Sequence, residues 1–126
     1  MAKKRKGIRI NWASIPHESN YPAALDYLTL IFPRREAKEH VEALKKAKPT
    51  AFKAKDVFRA SGLSLLGVSN SHVQRDHEKI AKGLEIGPIL LVREPLLGKV
   101  IIADGYHRMC AVYSLDEDAV IPCRIV

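Results

Sequence analysis

The chain has 126 residues, 47% hydrophobic and 28% charged, a size and balance that suit one compact domain with its own core and exclude global disorder. No apolar run approaches the ~18 residues that span a bilayer, and the first ten residues lack the apolar stretch of a secretory signal, so a cytoplasmic protein with no membrane partner is expected. The net charge is +7, yet Lys3, Lys4, Arg5, Lys6 and Arg9 crowd the first nine residues without an acid, which leaves +2 for the other 117.

A basic tail is thus attached to a nearly neutral body. Lys3, Lys4, Arg5 and Lys6 can neutralise the phosphates of nucleic acid, and a plain solvated terminus is the commoner reading. Residues 1–20 read as largely irregular, with Trp12 and Ile15 as anchors onto the body. Tyr21, Leu25, Leu28 and Phe32 then recur at helical spacing. Asn20 suits the cap of that helix, Pro22 its first turn, and Pro33 its end. A second helix is predicted from Arg34 to Ala47, with Ala37, Val41 and Leu44 as a narrow apolar face. Residues 21–49 therefore read as a helical hairpin laid over a larger body, residues 50–126.

Thr50 to Ala54 suits a short strand, and Lys55 to Ala60 one helical turn closed by Ser61 and Gly62. Residues 61–71 are loop-like. Asn70 or Ser71 can cap a helix to about Lys82, where Gly83 is a natural stop. Pro88 to Val92 and Val100 to Ala103 are continuous apolar runs, the mark of buried strands. Pro95 to Gly98 makes the turn between them. A helix from Tyr106 to Leu115, a turn at Asp116 to Asp118 and a last strand from Ala119 to Val126 complete the chain. The order predicts an α/β chain, in the α+β sense, with a small mixed sheet and helices packed on it. Cys110 and Cys123 fall within apolar patterns and read as reduced core residues.

The chemistry-bearing segment is Ala103-Asp104-Gly105-Tyr106-His107-Arg108. An apolar strand runs into Asp-Gly and then into a helix. Free N–H groups and the macrodipole at a helix N-terminus favour an anion. Gly105 leaves the backbone open to close approach. His107 and Arg108 set positive charge where the dipole disfavours it, and the Arg108 fork suits a phosphate. Asp104 can hold Mg²⁺ or accept a proton. A capping Asp beside a surface His and Arg is the plain alternative. Lys79 and Lys82 read as solvated lysines within reach of phosphates. His72 and His77, five apart, share no helical face, and no His, Cys and Asp set has zinc spacing.

These residues resemble the ParB/sulfiredoxin superfamily. Gly83-Leu84 before Pro88-Ile89 resembles the Gly-Leu and Pro-Ile lead into a strand of ParB N-terminal domains. Ile101 to Arg108, with Ala111 beyond, resembles the family's strand, Gly-x-x-Arg and helix. Ile121-Pro122-Cys123-Arg124-Ile125-Val126 resembles its closing strand. The likeness covers about 75 residues, is loose across 50–70 and stops before 50.

The resemblance implies nucleotide phosphates (ATP, ADP or CTP) held by Gly105, Tyr106, His107 and Arg108, with Arg59 near the nucleotide. Sulfiredoxins carry a catalytic cysteine where this chain has Tyr106, which argues against that chemistry. ParB partition proteins continue into further domains after this fold, which argues against partition. The Asp-Gly-x-His-Arg form is most similar to the branch of free serine kinases, which implies catalytic roles for Asp104 and His107. That branch uses a further Glu, for which Asp56 and Glu78 are the substitutes here. The leading expectation is nucleotide binding, with phosphoryl transfer or hydrolysis attached to it. The alternative is a non-catalytic DNA- or RNA-binding or regulatory module using the basic tail. A nuclease, a label ParB-like domains often carry, finds no paired carboxylates in a metal-site pattern.

Overall fold

The computed structural model describes residues 9–126. The basic residues Lys3, Lys4, Arg5 and Lys6 lie outside them. The described chain is α+β and runs α1 (Asn20–Leu28), α2 (Arg34–Lys46), β1 (Thr50–Lys53), α3 (Ala54–Ser61), α4 (Ser71–Ala81), β2 (Ile89–Glu94), β3 (Lys99–Asp104), α5 (Tyr106–Leu115) and β4 (Val120–Ile125). The four strands form one mixed sheet in the order β1-β4-β2-β3. Only β4 and β2 pair in parallel; β1 with β4 and β2 with β3 are antiparallel.

Strand periodicity divides the core between two helical layers. Successive side chains of a strand point to opposite faces, so Ile89 and Leu91 pack with α3, α4 and α5, while Leu90 and Val92 pack under the α1–α2 hairpin. With both faces covered, the strand reads as an unbroken apolar run. The hairpin buries Ala24, Leu28, Ala37, Val41 and Leu44 against Leu90, Val92 and Ala103. The 21–49 segment thus shares the sheet of the 50–126 body. Arg124 on β4 turns toward the hairpin and is 9% exposed. Its Nη1 donates to the Ala47 carbonyl at 2.8 Å, which satisfies the frayed end of α2.

Helix ends follow local chemistry. Asn70 caps α4, its side chain accepting from the His72 and Val73 amides at 2.9 and 3.2 Å. Gly83 follows in the left-handed region at φ 72°. The structure corrects four expectations. The first helix stops at Leu28 and not at Phe32, because Thr29 Oγ1 bonds back to the Asp26 carbonyl at 2.8 Å and the chain tightens through Leu30 and Ile31 into Pro33. Ser19, not Asn20, takes its cap position, without a side-chain bond. The turn after β1 is a two-turn helix, α3. Trp12 is an anchor, bridging to Ile86 and packing on the core, but Ile15 is 65% exposed and anchors nothing.

Candidate functional site

The β3–α5 turn is built around one glycine. Gly105 has φ 108°, where side chains are strained, and a Cβ there would sit 2.8 Å from Ile89 Cβ. The packing of β2 against the turn therefore requires glycine by itself, independently of any ligand. Gly105 occupies the N-cap position of α5 and offers no side-chain cap, and no acid lies in the first turn. The dipole end of this helix is left without a compensating carboxylate on its own surface.

Arg108 folds back over the turn. Its Nη2 donates to Asp104 Oδ2 at 3.0 Å and to the Pro88 carbonyl at 3.1 Å. The two side chains are 19% and 18% exposed, so the pair is substantially desolvated. The buried Nε of Arg108 has no hydrogen-bond partner. Tyr106 reaches the other way, donating from its hydroxyl to the Ser64 carbonyl at 2.6 Å, and so ties the loop before α4 to the turn.

Opposite the turn stands α4. His72, Arg75, Asp76 and Lys79 lie on the face of α4 toward α5 and, with residues 104–108, line a cleft of about 340 Å³. The His72 and His107 rings face each other at 4.7 Å. Arg75 Nη2 donates to His72 Nδ1 at 2.6 Å. The cleft thus holds three permanent cations, Arg75, Lys79 and Arg108, against two carboxylates, one of them already paired with Arg108. Asp76, Lys79 and Arg108 are shared with an adjoining hollow of about 690 Å³, whose far wall is the segment 13–20.

Several ionisations follow from this packing. Burial first, and then the proximity of His72, holds His107 below its ordinary value, with Arg75 and Arg108 adding to the effect and Asp76 opposing it. His107 is therefore a neutral ring at neutral pH, not the standing cation expected from the sequence. Burial, with Cys110 beside it, raises the Tyr106 phenol. Burial raises the Cys110 thiol and pushes Cys123 up to about 12, which makes both unreactive.

The structure brings together Asp104, Gly105, Tyr106, His107 and Arg108, and adds Lys79. Arg59 is placed elsewhere: it lies on α3, 78% exposed and paired with Asp56 at 3.5 Å, and does not line the cleft. Neither Asp56 nor Glu78 lines it; the second carboxylate there is Asp76. His72, Arg75 and Asp76 were missed from the sequence. The signal was present, since 72, 75, 76 and 79 recur at helical spacing. Among the described residues no three His, Cys, Asp or Glu side chains gather as a metal cage. Compared with protein-family models, curated proteins and solved structures, the chain gives no match.

Proposed function

We propose that the cleft between α4 and the β3–α5 turn binds the phosphate groups of a nucleotide, as the ParB/sulfiredoxin resemblance implies. The observation that carries this reading is the convergence of Arg75 and Lys79 from one helix with Arg108 and the uncapped N-terminus of another. Cations from separate elements, aimed at one helix dipole, form an anion site with little else to recommend it. Tyr106 lines the cleft but holds the neighbouring loop, so its part is to fix the turn.

Phosphoryl transfer or hydrolysis is the further step of the reading. Arg75, Lys79, Arg108 and the His107 imidazole neutralise the charge of the phosphates, and Asp104 orients an attacking hydroxyl and accepts its proton. Mg²⁺ carried in by a nucleotide needs only one or two carboxylates beside the phosphates, and Asp76 and Asp104 are those present; it would neutralise phosphate charge.

Calorimetric titration with CTP, ATP and ADP, each with Mg²⁺, tests the reading on wild type, Lys79→Ala and Arg108→Ala. Saturable binding, weakened about tenfold or more in each variant, is expected, as for a lost charge-assisted contact. No binding at millimolar nucleotide overturns it. The alternative reading then stands, in which deleting residues 1–9 abolishes nucleic-acid binding with a marked loss of its salt dependence.

A further inference from the structure

We infer that His107, held beside His72, takes up a proton as an anion enters the cleft, so that the anion is bound together with a proton. This rests on the phosphate-binding reading above and adds a residue, His72, and a dependence on pH that the reading does not contain.

The geometry begins with the tautomer. Arg75 has only donors, so the 2.6 Å contact fixes His72 Nδ1 as an acceptor and leaves the proton on Nε2. Its ring lies 4.7 Å from His107, tilted by 34°. With His72 Nδ1 taken up by Arg75, a proton entering this end of the cleft goes to His107. The surrounding charge opposes it. From α4 the pair faces Arg75 and Lys79, with Asp76 in the opposite sense. From α5 it faces Arg108 and the uncharged Tyr106, and from β3 it faces Asp104, whose charge is taken up by Arg108. The cleft's own charges thus disfavour a charged imidazole, in keeping with the depressed His107.

A multiply charged anion in the cleft reverses that balance. A phosphate between α4 and α5 places negative charge beside both rings, and an opposite charge within about 4–6 Å raises a neighbouring basic group by about 1–3 pH units. The cleft then takes up a proton from solvent as the anion binds. By linkage, the contribution of His107 to affinity falls with rising pH, at most about tenfold per unit, between its titration point in the free cleft and that in the occupied one.

The test follows the imidazole Cε1–H resonances by NMR, with and without saturating inorganic tripolyphosphate, in wild type and in His72→Gln and His107→Gln. Without the anion, His107 is expected to titrate below its ordinary 6.5, and with it about one unit or more higher. In His72→Gln the glutamine still accepts from Arg75, and the free His107 titration point moves up. In His107→Gln the affinity loses most of its pH dependence. Binding that leaves the titration of His107 unmoved overturns the inference and leaves the cleft a phosphate site. If neither tripolyphosphate nor any nucleotide binds, the phosphate reading falls and the inference with it.

Discussion

The two helical layers on the sheet are similar in burial and opposite in what they do with charge. On one side the α1–α2 hairpin buries Ala24, Leu28, Ala37 and Leu44 completely and turns the Lys, Arg and Glu residues of α2 to solvent. On the other side α4 and α5 bury Val73, Met109, Cys110 and Val112 as completely, yet aim Arg75, Lys79 and Arg108 at one cleft. A surface charge costs little where it is solvated, and gathering like charges in a partly buried cleft costs more. The hairpin layer is accounted for by packing alone. The α4–α5 layer keeps an arrangement that packing does not ask for, and it is the layer proposed to bind phosphate.

The largest expected break in this comparison is Gly105→Ala. The substitution forces a side chain into a left-handed backbone and into Ile89, and strain and overpacking together should cost about 4 kcal/mol. Thermal or denaturant unfolding measures the loss, and anion binding should vanish with it. Leu28→Ala strikes the other layer. Leu28 is fully buried, and the cavity should cost about 3 kcal/mol. Phosphate affinity should be unchanged in the fraction that remains folded. A Leu28→Ala variant that stays folded and loses nucleotide binding would end the division of labour between the layers.

The sheet and its helices were largely legible in the sequence, because each strand and helix carries a period that burial enforces. The β2 and β3 runs, the Asn70 cap and the span Tyr106–Leu115 are read directly from residue types. The end of α1 was not, since it depends on Thr29 bonding to its own helix in place of the regular ladder. The turn residues 104–108 were legible as a local motif. What faces them was not, because the facing of α4 and α5 is set by tertiary packing through Val73 and Ile80, and the charged stripe on α4 looks the same whether it meets solvent or a partner helix. Arg59 lies apart from the cleft for the same reason: a position in sequence does not say which end of the sheet it reaches.

A smaller effect sharpens the comparison through a residue of the site layer that does not itself line the cleft. Asn70→Ala removes the α4 cap, worth about 1 kcal/mol. Fraying begins at Ser71 and His72, so hydrogen exchange should quicken in the first turn of α4. The ring contact between His72 and His107 loosens while Lys79, two turns on, keeps its place. Phosphate affinity should drop less than in Lys79→Ala, and its pH dependence should shrink.

The smallest effect is on stability itself, and its sign is fixed. His107 in the folded chain binds its proton more weakly than the ordinary value of 6.5. Between the folded value and 6.5 the unfolded chain therefore holds more protons, so stability rises with pH through that window and is level above it. Melting temperature should be lower near pH 5.5 than near pH 7.5, and His107→Gln should remove that part of the difference. With a phosphate ligand bound the direction reverses, because the occupied cleft favours the charged ring and affinity grows as pH falls. The hairpin layer offers no such reversal, since it contributes no side chain to the cleft. Leu28→Ala, in that layer, should lower the melting temperature by a similar amount across this pH window, with and without tripolyphosphate. A Leu28→Ala variant whose curve lost its slope in pH would place the support of the titrating group in the wrong layer.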